Sequence, residues 1–475
     1  MNYLIWPISL FIAEYFSIKF PIYYGHRIQI YIYIIGILVA LTQLKGEIPK
    51  NIFKKKVIMF IGILLIMQLI SMIFSYYRID IIQYNKSPLK TFIAFCSFIF
   101  AILIHYFVVR LNINEVRDVK KFLRGGWIAL IISLIVCYVQ LFYLFSPAVF
   151  EPFVKFFGST LEARWGGQQL ETSFYKLGSY VQTTLRINGL TEEASNLATQ
   201  LFVIFVPFIL ASIKNKFNVF YKNSNKIYPL YMVLVMILIL LLMAKTTSGF
   251  LFCGIVVVLI MKDISKIQRI VVVSCAILIG ILIYNFNFRS EYLTDSINNF
   301  LLNKQGNSVS NRSGSMIALV KVSIKNFIIG IGWEYHTYFI FENLPEWARH
   351  NTEYYSFVQK KEYPIMSVML GWTVEYGALI VGVVIAYVIK TQKKFRQLSN
   401  KTLELKLEES KFIKVLCDSS YYYLIFTLIS SVFLYVWYAS IYLIIYFFFI
   451  STIYVVKKNL SINASDRFEG LYEKN

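Results

Sequence analysis

Apolar runs of roughly membrane-spanning length recur along this chain, and no other feature limits its fold as strongly. A helix that crosses the hydrocarbon core of a bilayer needs about 20 residues. Only helices and closed barrels satisfy their own backbone polar groups there. Twelve candidate segments can be read, at 3–18, 28–44, 57–76, 88–109, 125–146, 193–213, 227–244, 247–261, 270–286, 366–389, 419–436 and 438–456, the first and eighth being short. Composition agrees, since 57% of residues are hydrophobic and 15% charged. Soluble domains carry about 25% charged residues, so a water-facing surface cannot be built from this chain. The expected fold is all-α: a polytopic integral membrane protein of about twelve transmembrane helices with a large helical outer loop.

A formal net charge of +21 would suit nucleic acid only if the basic residues shared one face. They do not. With a cytoplasmic N-terminus, the inner loops 45–56, 110–124, 214–226, 262–269 and 390–417 hold 25 Lys and Arg, against 5 in the short outer loops 19–27, 77–87, 245–246 and the turn near 437. That bias is a strong positive-inside signal. It predicts both termini in the cytoplasm and no nucleic-acid partner.

The expected organisation follows. Helices 1–5 occupy 1–146 and a first long outer loop 147–192. Helices 6–9 occupy 193–286 and the large outer loop 287–365. Helices 10–12 occupy 366–456, interrupted by the lysine-rich cytoplasmic linker 390–417, and a cytoplasmic tail spans 457–475. No cleavable signal peptide is expected, because 1–20 lacks a basic start and a small-residue cleavage site. Cys96, Cys137, Cys253, Cys275 and Cys417 form no CxxC, so they are expected to be small apolar helix residues rather than a disulfide or zinc framework.

Long loops usually have a task of their own, and both long loops are predicted on the outer side. The first closes with Leu185-Arg-Ile-Asn-Gly-Leu-Thr-Glu-Glu-Ala-Ser. Thr191 suits a helix cap, and Glu192 and Glu193 suit a first turn. Arg186 then sits above a helix N-terminus, where guanidinium and backbone N–H groups together bind anions. The plainer alternative is a capping turn with a snorkelling arginine. In the second loop, Met316, Leu319, Val320, Ile324, Phe327 and Ile328 recur at helical spacing, with Lys321, Lys325 and Asn326 off the stripe. Such a helix lies on the membrane surface or caps the bundle, or else simply packs against its loop neighbours. Asn311-Arg312-Ser313-Gly314 opens it, Gly330-Ile-Gly332 follows it, and Arg349-His350-Asn351 comes later. His350 reads as a general base, a phosphate ligand or a plain surface residue. Lys245, in Ala-Lys-Thr-Thr-Ser-Gly between two spans, either lines a site or snorkels.

Glu14, His105 and Glu375 are the ionisable residues inside spans, where charge is costly and functional by default. Glu375 stands ready to orient His350 or Arg312, or else is a buried, hydrogen-bonded carboxyl. Trp333, Tyr335, Tyr338, Trp347, Tyr354 and Tyr355 offer sugar-stacking faces or interfacial anchors. There is no D-x-D, H-E-x-x-H, P-loop or G-x-S-x-G. Arginines, rather than a metal, would then stabilise an anionic leaving group, and no cofactor is expected.

The stretch from Arg186 through Ser195, the Asn311-Arg312 helix, Gly330-Ile-Gly332, His350-Asn351 and Glu375-Tyr-Gly377 together resemble the O-antigen polymerase and O-antigen ligase superfamily, the Wzy-type polymerases and their ligase relatives. The resemblance implies a metal-independent, inverting glycosyltransferase on the outer face of the bacterial inner membrane. Its donor and acceptor would be undecaprenyl-diphosphate-linked oligosaccharides, with a chain-length regulator as a further partner. It implies diphosphate binding by Arg186 and Arg312 and chemistry at His350. Lys245, Glu192, Glu193, Asn351, Glu375, Tyr335 and Trp333 would line the substrate site. Two departures stand out: Glu193-Ala194 replaces the usual Glu-Pro, and Lys245 is the nearest cation where the family often has an Arg. Transfer to lipid A core by a ligase is the nearest alternative, and a lipid-linked oligosaccharide flippase the next. A dolichol-type transferase fits less well, because such enzymes resemble one another in an acidic first outer loop and 19–27 contains no Asp or Glu.

Overall fold

A computed structural model describes the chain apart from residues 17–27, 45–51, 53, 80–85, 165–173, 222–225, 264–306, 408, 434–435 and 473–475. The expected span 270–286, the outer loop 19–27 and the first part of the loop 287–365 lie outside the described residues. Among the described residues there is no strand.

Sixteen helices suffice to describe it. They are α1 (Ile5–Phe16), α2 (Ile28–Gln43), α3 (Lys55–Tyr76), α4 (Pro88–Asn112), α5 (Val116–Phe145), α6 (Pro147–Thr160), α7 (Tyr180–Thr184), α8 (Ala194–Lys214), α9 (Tyr228–Met243), α10 (Thr247–Asp263), α11 (Asn307–Lys325), α12 (His336–Asn343), α13 (Thr352–Lys360), α14 (Val368–Glu404), α15 (Ser410–Ser430) and α16 (Ser440–Tyr472). Seven of these, α3, α4, α5, α8, α14, α15 and α16, are long and apolar enough to cross a membrane, and α1, α2, α9 and α10 are apolar but shorter. The described residues are all-helical, with the apolar helices of a polytopic membrane protein. The loops expected at 110–124 and 390–417 are largely helical, because α5 starts at Val116 and α14 runs to Glu404.

The helices sort into two units. The first comprises 1–9, 27–125 and 306–475. Its apolar core joins Met72, Phe95, Leu319, Ile340, Tyr363 and Val374 from α3, α4, α11, α12, α14 and the segment before α14. A polar chain also runs through this unit. Tyr33 OH lies 2.7 Å from Ser9 Oγ and 2.8 Å from Ser440 Oγ, and Ser440 Oγ lies 2.9 Å from His105 Nε2. His105 Nδ1 donates to the carbonyl of Ala101 at 2.7 Å, so its other nitrogen accepts from Ser440. The intramembrane His105 is thus a tie between helices, the form in which buried polar groups are tolerated in lipid.

Within the first unit α14 is broken. Gly377 has φ 76° and ψ 157°, a region open essentially to glycine alone. Segment 327–332 fills the break: Ile331 N donates to Val374 O at 2.8 Å, Gly332 N to Glu375 O at 3.0 Å, and Ala378 N to Phe327 O at 2.7 Å. One face of α3 completes it. Gln68 Nε2 reaches Glu375 O at 3.1 Å, Ser71 Oγ reaches Ile329 O at 2.9 Å, and Ser75 Oγ reaches Ile331 O at 2.5 Å. Non-helical backbone at membrane depth requires such internal partners.

The amphipathic pattern in α11 resolves differently from a simple core stripe. Ala318, Leu319 and Val322 are buried, whereas Val320, Ile324, Phe327 and Ile328 are exposed. The expected stripe therefore largely faces outward, as on a membrane-surface helix.

The second unit comprises 10–26 and 126–305. The apolar window of α8 is 89% buried, against 22% for α3, so α8 is an interior element while α3 presents most of its surface outward. Phe202 of α8 stacks on Phe252 of α10 at 4.1 Å. A π-helical turn at Leu201–Phe205 precedes Pro207. A proline clashes with the carbonyl four residues before it, and widening that turn accommodates it.

Candidate functional site

The second unit holds its candidate site on the loop from Leu185 to Glu193. Gln140 of α5 anchors the loop. Its Nε2 donates to Asn188 Oδ1 at 3.1 Å and Gly189 O at 2.7 Å, while its Oε1 accepts from Asn188 N at 3.2 Å and Gly189 N at 2.7 Å. Asn188 Nδ2 in turn donates to Glu162 Oε1 and Thr191 O, both at 2.6 Å. Gly189 has φ 60°, and a Cβ there would stand 2.9 Å from Cys137 Sγ. The Asn-Gly pair is thus required by a left-handed turn pressed against α5.

This platform fixes Arg186. Its Nε donates to the Ala244 carbonyl at 3.2 Å, and Ile187 N reaches Met243 O at 3.4 Å. The loop therefore docks on the α9–α10 turn, where Lys245 is 6% exposed and has φ 49°. Burial, with the Arg186 guanidinium alongside, brings the Lys245 ammonium down to about 8. Two cations drawn from loops far apart in sequence thus stand together. The buried Tyr180 hydroxyl interacts with Arg186, Glu193 and the amide of Ala194, so Arg186 and the start of α8 share one neighbourhood. Burial pushes the Glu192 carboxyl up, and Asn196 Nδ2 donates to its Oε2 at 2.9 Å.

The expected helix cap is corrected. Glu193, not Thr191, is the N-cap of α8, and no side chain caps the helix from there. The Thr191 hydroxyl lies instead 2.8 Å from the Asn188 carbonyl and 2.7 Å from the Glu193 carbonyl. Ser195 Oγ donates to the Glu193 carboxylate.

In the first unit the break in α14 places Glu375 against the turn after α11. Glu375 Oε1 accepts from Glu334 N at 2.8 Å and lies 2.8 Å from His336 Nδ1. The two side chains are 7% and 17% exposed. Glu334 has φ 61°, a strained position for a non-glycine residue. Its carboxylate lies 3.3 Å from Lys86 Nζ. Glu375 thus orients His336, neither His350 nor Arg312. A carboxylate that accepts from Nδ1 fixes the tautomer, leaving Nε2 as the proton-accepting nitrogen.

The remaining candidates take other positions. α11 begins at Asn307, so Arg312 stands in its second turn and is exposed rather than opening the helix. His350 is 65% exposed and pairs with Glu346, 80% exposed, at 3.3 Å. Such an exposed pair orients weakly. Asn351 caps α13 through Tyr354 N at 2.8 Å and exchanges amide hydrogen bonds with Asn311 at 2.9 Å in both directions. Tyr335 is 2% exposed and donates to Lys86 O at 3.0 Å, so its ring is core rather than a sugar face. Its hydroxyl is pushed up to about 12 by burial. Trp333 stacks on Phe98 at 5.5 Å.

Sequence reading passed over His336, which lies just beyond Gly330-Ile-Gly332, and it passed over Gln68, Ser71, Ser75 and Gln140. The signal for the α3 residues is their spacing of three and four, a single polar face on an apolar helix. Among the described residues no three His, Cys, Asp or Glu side chains gather to hold a metal ion. Comparison of the chain with known protein families finds no match, and comparison with curated proteins finds none.

Proposed function

We propose that this protein is a membrane glycosyltransferase that polymerises undecaprenyl-diphosphate-linked oligosaccharide repeat units, of O-antigen or capsule type, on the outer face of a bacterial inner membrane. The observation that carries this reading is the cation pair: Arg186 and the buried Lys245, beside the start of α8. Fixed cations at a helix N-terminus suit a departing diphosphate. In the transfer, the acceptor hydroxyl oxygen bonds to the anomeric carbon, the bond from that carbon to the diphosphate oxygen breaks, and the leaving group takes the electron pair. The hydroxyl proton passes to a base, and within the first unit His336, whose tautomer Glu375 holds, is better oriented to accept a proton than the exposed His350. Twelve spans, cytoplasmic termini, metal independence and a chain-length regulator complete the proposal.

Ligation of the glycan to lipid A core would use the same cations. Translocation of the lipid-linked oligosaccharide is favoured by a separate observation, the break at Gly377, since interrupted helices mark transporter sites. A deletion strain complemented with wild-type and Arg186→Ala chains separates the three. A polymerase loss leaves one repeat unit on the core. A ligase loss removes all glycan from the core while lipid-linked chains still grow. A flippase loss traps single lipid-linked units in the inner leaflet.

A further inference from the structure

The end of the first unit remote from Glu375 carries a second concentration of positive charge, drawn from four separate segments. Arg110, in the last turn of α4, is 8% exposed. Its Nη1 reaches Asn114 Oδ1 at 3.4 Å, and its guanidinium carbon lies 4.7 Å from the ring centre of Tyr454. Its Nε is buried and makes no hydrogen bond. Lys54 Nζ lies 5.9 Å from the same Tyr454 ring. Lys394 of α14 faces the ammonium groups of Lys54 and Lys457. Among the described residues none of these four cations forms an ion pair. The acids closest along the chain are engaged elsewhere: Asp118 accepts the amides of Asn114 and Glu115, each at 3.2 Å, and Glu115 lies 3.6 Å from Arg117.

Mutually repelling ammonium groups around a buried guanidinium whose Nε has no acceptor call for an external anion. We propose that Lys54, Arg110, Lys394 and Lys457 form a binding site for the phosphate of an anionic lipid headgroup. Three observations favour a lipid. Lys394 is 17 residues along α14 from Gly377, about 25 Å of helix, close to the thickness of one hydrocarbon core. Tyr454 lies under the Arg110 guanidinium, and Tyr106, whose OH donates to Ile52 O at 2.6 Å, hydrogen-bonds the Arg110 side chain. Tyrosines of this kind mark the headgroup level. All four cations also come from segments that the charge count assigns to the cytoplasmic side, where basic pockets between transmembrane helices take anionic headgroups. This proposal does not depend on the transferase reading.

The test uses the full-length protein, purified and examined by native mass spectrometry with phosphatidylglycerol or phosphatidylcholine added. The wild type is expected to retain phosphatidylglycerol selectively. Arg110→Gln removes the buried donor but carries a folding risk, so the deciding variant replaces only the more accessible side chains: Lys54→Gln, Lys394→Gln and Lys457→Gln together. Each charge removed is expected to weaken retention by about fivefold. Equal retention of phosphatidylcholine, or wild-type affinity in the triple variant, overturns the site. Displacement of phosphatidylglycerol by equimolar inorganic phosphate assigns the site to a free anion and overturns the lipid.

Discussion

His336 Nδ1 and Glu375 Oε1 stand 2.8 Å apart, one at the start of α12 and the other in the last turn before the break in α14. The break brings the carboxylate and imidazole together, since the three backbone bonds from 327–332 onto 374–378 dock the turn there. The fold thus holds one imidazole in a set orientation while His350 remains at the surface. His336→Gln is expected to slow chain growth by roughly 10²–10⁴, the usual contribution of a positioned base, with normal expression. His350→Gln is expected to change it little. The rate of glycan-ladder extension in isolated membranes measures both, and normal ladders from His336→Gln would remove the base assignment.

Lys245 would give the proposed donor site a pH dependence. Its free-protein ammonium titrates near pH 8, lowered by burial and then by Arg186. As pH rises through that value the positive charge is lost and anion binding weakens. Below it the charge is fully present. A bound diphosphate favours the ammonium, so the dependence belongs in kcat/KM rather than in kcat. The expected profile falls above about pH 8 in the wild type. Lys245→Arg, which stays protonated, is expected to keep a flat profile over the same range. Stability moves the other way. Between about pH 8 and the ordinary lysine value the unfolded chain holds the extra proton, so stability rises with pH there.

The helical pattern was legible because lipid leaves the backbone few choices: eleven of the twelve apolar segments overlap described helices, seven of which are long and apolar enough to cross a membrane. The candidate sites were legible only in part. Arg186 and Lys245 were visible as cations, but whether Lys245 was buried or snorkelling depended on a loop about 60 residues away. Gly330-Ile-Gly332 was visible only as the segment after the α11 helix. Its glycines are required because a Cβ on Gly330 would meet Glu375 O at 2.6 Å and one on Gly332 would meet Met72 Cγ at 2.9 Å. Nothing local in the sequence distinguishes His336 from His350. The difference is burial, which the tertiary fold supplies. Thr191 misled because its hydroxyl engages carbonyls rather than the amides of α8.

Gln140 tests how far the proposed anion site depends on its scaffold. Its side-chain amide makes four hydrogen bonds to Asn188 and Gly189. Gln140→Leu leaves buried donors and acceptors of the loop without partners, at about 1–3 kcal/mol for each. The melting temperature in detergent is expected to fall, and donor binding to weaken because Arg186 follows the loop. An unchanged melting temperature and unchanged KM would mean that Glu162 and Thr191 alone hold the turn.

Gly377 predicts the cost of closing the break in α14. A Cβ there would meet Ile328 O at 2.3 Å, Ile329 C at 2.6 Å and Gly330 N at 2.7 Å, all backbone atoms. The residue also has φ 76° and ψ 157°, a conformation costing about 1–3 kcal/mol for other residues. Gly377→Ala therefore faces steric and conformational penalties together, and relief requires the 327–332 segment to undock. Gly382 is the internal control, since a Cβ there has no atom within 4 Å, and Gly382→Ala gains helix propensity. Thermal melts in detergent are expected to show a large drop for Gly377→Ala and none, or a small rise, for Gly382→Ala. The same undocking separates Glu375 from His336, so Gly377→Ala is also expected to lose chain growth in proportion to the fraction of protein with the turn released. Equal melting curves for the two variants would show that the glycine break is not needed to seat the turn.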